Sequence, residues 1–90
     1  MRELEKYMFA RSLAGHDKGV LHVIVDTEDP FVYLADGKSR TIDSPKKKKR
    51  KHIQPDYEIS SYIKERTEMD QPVRDEDIRK AIQHKEGKNV

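Results

Sequence analysis

The sequence predicts a mainly β protein, a small all-β barrel with a short helical appendage at its C-terminal end. Three observations lead there. The apolar residues fall in short blocks between residues 7 and 53, which hold 18 of the 30 hydrophobic residues. Turn chemistry separates the blocks. Helical periodicity is confined to the stretch after residue 56.

The first block, Tyr7-Met8-Phe9-Ala10, is short enough for a strand. The second, Val20-Leu21-His22-Val23-Ile24-Val25, is rich in the β-branched residues that pleated sheets favour. The third is Phe31-Val32-Tyr33-Leu34-Ala35. Thr41-Ile42 and His52-Ile53 are weaker candidates for closing strands. Gly15 and Gly19 frame the first connection, where their backbone freedom suits a tight loop. Pro30 cannot donate to a ladder, so a strand beginning at Phe31 is natural after it. Asp36-Gly37 supplies a tight hairpin turn. Blocks of this length between polar turns fit a barrel better than helices.

The C-terminal stretch is different. Ile59, Tyr62, Ile63 and Arg66 fall at helical spacing. After Pro72, Asp75 reads as the N-cap of a second helix, whose stripe is Ile78, Ala81 and Ile82. Residues 86–90 read as a frayed end. The second strand carries apolar residues on both faces: Leu21, Val23 and Val25 on one, Val20, His22 and Ile24 on the other. The tail helices are expected to cover the face of Val20, His22 and Ile24. Tyr57 and Tyr62 are expected to pack the tail on the barrel. The expected organisation is a barrel over residues 1–53, including the polybasic segment 45–52, and a helical tail over residues 54–90.

Composition narrows the function. The chain has 90 residues, 33% hydrophobic and 40% charged. That is one small domain, too small for a large enzyme with a deep pocket. It has no cysteine, hence neither a disulfide staple nor a thiolate metal site. The four histidines are scattered, and none has the i, i+4 partner of a helical zinc pair. Neither a phosphate-loop pattern nor a nucleophile context is present. A non-catalytic protein without cofactor or metal is expected. The start of the chain lacks the apolar stretch of a secretory signal, and no apolar run approaches bilayer length, so a cytoplasmic location is expected.

The charge is concentrated. The net charge is only +2, yet Pro45-Lys46-Lys47-Lys48-Lys49-Arg50-Lys51-His52 holds six basic residues and no acid. The remainder carries 13 basic and 17 acidic side chains. A mildly acidic chain with one positive patch suggests local docking of a polyanion.

The stretch Met8-Phe9-Ala10-Arg11-Ser12-Leu13-Ala14-Gly15-His16-Asp17-Lys18-Gly19-Val20-Leu21-His22-Val23-Ile24-Val25-Asp26 resembles a KOW motif: strand, glycine-containing basic loop, strand. The wider order also resembles bacterial KOW-domain RNA-binding proteins that are similar to archaeal and eukaryotic large-subunit ribosomal proteins. That order is Gly-His-Asp-Lys-Gly, an aliphatic strand, an apolar block ending in Asp36-Gly37, then a lysine-rich segment ending in His52. The resemblance covers about residues 7–53. It implies an SH3-like barrel that contacts RNA, most plausibly ribosomal RNA, through the loop between the first two strands. Gly19 best matches the hallmark glycine of the motif, and Gly15 is the other candidate.

The expected RNA-binding residues follow. In the loop, His16 and Lys18 approach a phosphate or base while Gly15 and Gly19 shape the backbone. Arg11 flanks the loop and is placed to stack on a base or clamp a phosphate. Lys46, Lys47, Lys48, Lys49, Arg50, Lys51 and His52 supply backbone contact. If all six cations of this run engage, log affinity falls against log salt with a slope of roughly −4 to −5. Lys38 and Arg40 extend the basic surface. Tyr7, Phe9, Phe31 and Tyr33 are expected in the core rather than as stacking platforms. The tail, near neutral, is expected to touch large-subunit proteins on the same assembly, and the free chain to be a monomer. Competing readings are a protein-interaction module, with the basic run an import signal or solvated linker, and an acidic-membrane binder. The membrane reading lacks the hydrophobic anchor it needs.

Overall fold

The order of elements is five strands followed by two helices. The computed structural model describes residues 3–87, so the expected fraying of residues 88–90 lies outside the described residues. The strands are β1 (Met8–Ser12), β2 (Leu21–Glu28), β3 (Phe31–Ala35), β4 (Lys46–Lys49) and β5 (Ile53–Ile59). A 3-10 turn at Arg50–His52 joins the last two. The helices are α1 (Ser61–Glu68) and α2 (Asp75–Lys85). All pairings are antiparallel, and the sheet order is β4-β3-β2-β1-β5.

The first three strands lie where the apolar blocks place them. The closing strands do so only in part: Ile53 of the His52-Ile53 candidate opens β5. Thr41-Ile42 is not a strand; the lysine run itself is one, with Lys46 opposite Leu34 and Lys49 opposite Phe31. The Asp36-Gly37 turn is wider than a two-residue hairpin. Asp36 Oδ1 accepts from the N–H groups of Lys38 and Arg40, both at 2.9 Å, and the chain needs further residues to come round to Lys46. The last strand begins at Ile53 and runs to Ile59. A boundary at residue 53 therefore falls on the first residue of a strand, and the sheet is completed by what the sequence assigns to the tail.

The two faces of β2 are buried against different things, and the assignment is the reverse of the expected one. Leu21, Val23 and Val25 join Phe9 and Ala35 under Ile63 of α1 and Ile78 and Ala81 of α2. Ile24 faces the other way, into a second core of Met8, Ala10, Val32, Leu34 and Ile53 enclosed by the curl of the sheet. Val20 precedes the strand and is exposed. Alternation identified the two faces, but the choice between them depends on how the sheet curls. Ile63 and Ile78 are fully buried. Each such side chain contributes about 1.5–3 kcal/mol, which is large beside the total stability of a small domain. The helices are part of the fold.

Local chemistry fixes the helix ends. Ser60 Oγ accepts from Tyr62 N–H at 3.2 Å and starts α1 one residue after the end of β5. Ile59 thus ends a strand rather than opening a helical stripe. At α2 the N-cap is Arg74, not Asp75; Asp77 Oδ2 accepts from the Arg74 N–H at 2.9 Å. Asp75 is used elsewhere, its Oδ1 accepting from Ile42 N–H at 2.9 Å. Arg79 Nη1 donates to the Gly37 carbonyl at 2.6 Å. These two bonds tie the connection before β4 to α2. Gly37, with φ of 79°, packs so closely that a Cβ there would lie 2.5 Å from the Asp75 carbonyl oxygen.

Candidate nucleic-acid interface

The loop between β1 and β2 is closed by its own backbone. Gly19 N–H donates to Ser12 O at 2.8 Å, and Val20 N–H to Asp17 O at 2.9 Å. Gly15 and Gly19 have φ of 88° and 86°. A Cβ on Gly19 would meet nothing within 4 Å. Glycine is needed there for its left-handed backbone, not for space. Arg11 Nη1 donates to the Gly19 carbonyl at 2.7 Å and lies 3.7 Å from Glu86. It braces the loop it flanks. His16 and Lys18 are exposed on the loop.

Asp17 ties this loop to the lysine strand. Lys48 Nζ lies 2.7 Å from Asp17 Oδ1 and 2.7 Å from the Ala14 carbonyl, and it also donates to Ser12 Oγ. Ser12 Oγ in turn bonds Asp17 Oδ1 at 2.8 Å. Lys46 Nζ is 3.3 Å from Asp17 Oδ2. No well-aligned hydrogen bond reaches that oxygen, so the Lys46 pairing is chiefly electrostatic. Burial alone would raise the Asp17 carboxyl; Lys48, Ser12 and Lys46 outweigh it and hold the group well below the usual carboxylate range.

His22 completes the cluster from below. Its Nε2 lies 3.9 Å from Asp17 Oδ2, and its Nδ1 is 3.1 Å from the Val20 carbonyl. A carbonyl can only accept, so Nδ1 carries the proton in the neutral ring. Burial depresses the imidazole below its ordinary value, despite the opposing pull of the Val20 carbonyl and Asp17.

Strand alternation thus divides the lysine run. Lys46 and Lys48 turn toward Asp17, and Lys48 is 9% exposed. Lys47 and Lys49 are exposed on the other side, with Lys47 Nζ 4.3 Å from the centre of the Phe31 ring. Lys51 is exposed on the following turn. Lys18, Lys47, Lys49 and Lys51 have no carboxylate partner among the described residues. Arg50 and His52 belong to the 3-10 turn: Arg50 N–H donates to Pro30 O at 2.9 Å, and the His52 carbonyl accepts from Leu13 N–H at 2.8 Å. Lys38 and Arg40 are exposed on the connection held against α2.

The structure brings the loop and the lysine strand together through Lys46 and Lys48, two of the expected residues, which turn onto Asp17, which was not among them. Asp17 is the junction and was not singled out from the sequence. Its signal was available only through β4: two lysines of the same parity facing a loop acid. Phe9 is buried, Tyr7, Phe31 and Tyr33 are half-buried, and Phe31 carries Lys47 on its ring. Tyr57 packs into the core enclosed by the sheet, not between tail and sheet; Tyr62 is exposed, edge-on to His84. Among the described residues no group of His, Asp and Glu is placed to hold a metal ion, and no helix is long and apolar enough to cross a membrane. No protein-family model matches the chain, and no curated protein matches it.

Proposed function

We propose that this chain is a non-catalytic RNA-binding protein, a KOW-type SH3-like barrel whose target is ribosomal RNA of the large subunit. One observation carries the reading: on β4 and the turn after it Lys47, Lys49 and Lys51 stand exposed without an acid partner among the described residues, as does Lys18 on the glycine loop, in a chain that has 17 acidic residues. Such a set, left unneutralised, is an electrostatic footprint for a phosphate backbone. The KOW-like stretch coincides with β1, the glycine loop and β2. The return of β5 to pair with β1 supports a closing sheet. The exposed Tyr62 and Met69 of the tail would rest on a protein neighbour in the same assembly.

With Lys46 and Lys48 committed to Asp17, fewer cations are free for phosphate than the six of the run. Four engaged lysines give a slope of log affinity against log salt of roughly −3, shallower than six would. A salt titration of the full chain against a large-subunit ribosomal RNA fragment, read by fluorescence anisotropy, measures it. A slope near zero, or an affinity no better than that of an isolated polylysine peptide, would leave a protein-interaction module as the better reading.

A further inference from the structure

Tyr57 lies at an irregularity of β5, half-buried, with one side against the core enclosed by the sheet. Opposite β1 the register slips: Ala10 faces Pro55, but Met8 faces Ile59. The extra residues of β5 form a bulge, and Tyr57 within it has φ of 58°. An aromatic residue rarely adopts this left-handed backbone. Bulges re-aim side chains, and such outliers gather at ligand sites. Here the Tyr57 ring, with Pro30, Ile53 and Pro55, lines a cleft of about 520 Å³. That falls within the roughly 300–1,000 Å³ of small-ligand sites.

The rim of this cleft is charged. Lys49, Arg50, Lys51 and Asp29 contribute to it. A flat apolar lining bordered by cations matches a nucleobase with its phosphates, the pairing by which single strands are held. Asp29 adds an acceptor for the N–H groups of a base edge, whereas it would repel an acidic peptide. The cleft is also continuous with the exposed side of β4. Lys47 and Lys49 are two residues apart on that strand, about 6.6 Å along it, comparable with the separation of successive phosphates in an extended chain. A duplex keeps its bases stacked inside and has none to offer.

We propose that this cleft takes one unpaired nucleotide of an RNA strand, its base lying on Tyr57 and Pro55 and its flanking phosphates held by Lys49 and Lys51. The inference rests on the RNA-binding reading above and adds to it a site distinct from the glycine loop.

The test compares a short labelled oligocytidylate with a blunt RNA hairpin, each titrated with the full chain and with Tyr57→Leu. Leucine keeps the apolar packing and removes the stacking face. The variant should bind the oligocytidylate about tenfold more weakly and the hairpin as before. On the unaltered chain, an oligonucleotide carrying 5-iodocytidine should crosslink to Tyr57 on irradiation, a readout independent of how the variant folds. Equal binding by parent and variant, with crosslinks elsewhere, overturns the nucleotide site and leaves RNA binding intact. Failure to bind either RNA sinks the broader reading instead. If an acidic proline-containing peptide shifts the Tyr57 resonances and oligocytidylate does not, the cleft is a peptide site and the proposal is wrong.

Discussion

The two sides of β4 present the same side chain and do opposite things. Lys46 and Lys48 turn inward onto Asp17, where Lys48 also bonds Ser12 at the end of β1 and the Ala14 carbonyl of the loop. Lys47 and Lys49 turn outward, one over Phe31 and one at the lip of the Tyr57 cleft. The inner pair holds the glycine loop to the sheet; the outer pair is exposed and has no carboxylate partner among the described residues. A run of like charges has no single role once it forms a strand. Parity assigns the work, and a count of basic residues overstates the charge that a polyanion meets.

Lys48 is where a substitution costs most. Replacing it by methionine removes the best partner of a largely buried carboxylate, and Lys48→Met should cost about 2–3 kcal/mol of stability. In a domain of this size that is a fall in Tm of about 10–20 °C, readable by circular dichroism. Adding Asp17→Asn to the same chain should recover part of the loss, because the stranded charge goes with it. A double variant less stable than the single one would show that the inner pair is not the anchor described.

Acid acts on the same cluster with a smaller effect. His22 has its folded value below the ordinary 6.5 because it is buried. As pH falls below 6.5 the unfolded chain takes up a proton first, so stability present above that pH declines beneath it. Asp17 is depressed as an acid, so its contribution is present above the ordinary carboxylate value and is lost at still lower pH. Urea midpoints between pH 7 and pH 3 should therefore fall in two stages. His22→Gln should flatten the first and keep the second. A single stage in both proteins would separate His22 from the cluster.

The outer pair should show the smallest effect on stability and its effect on binding instead. Lys47→Gln together with Lys49→Gln should change stability by less than about 0.5 kcal/mol. The slope of RNA affinity against salt should become shallower by roughly 1.5. If this double variant melts early while binding as the parent does, the two sides of β4 have been assigned the wrong way round.

Much of the fold was legible in the sequence. The β-branched and aromatic blocks marked β1, β2 and β3, and the apolar stripe of Ile78, Ala81 and Ile82 marked α2. The lysine strand was hidden for two reasons. Lysine is depleted in strands, and a run of one residue type has no period for the eye to find. Its place at the edge of the sheet makes it physically reasonable, since edge lysines discourage pairing with other chains. Asp17 was in view as a loop acid beside His16, but its partners lie 29 and 31 residues ahead. Likewise the Tyr57 bulge follows from how β5 is paired to β1, which no local pattern announces.

The bonds from Arg79 to Gly37 and from Ile42 to Asp75 also bear on when the molecule becomes itself. During synthesis the hairpin of β1 and β2 emerges early, with Phe9 and Val23 bare on one side. Their cover, and the brace on the connection that leads into β4, arrive only with α2. Until that helix has left the exit tunnel Phe9 and Val23 lack their cover, so a chain released before α2 would show a bare apolar face and be open to proteolysis.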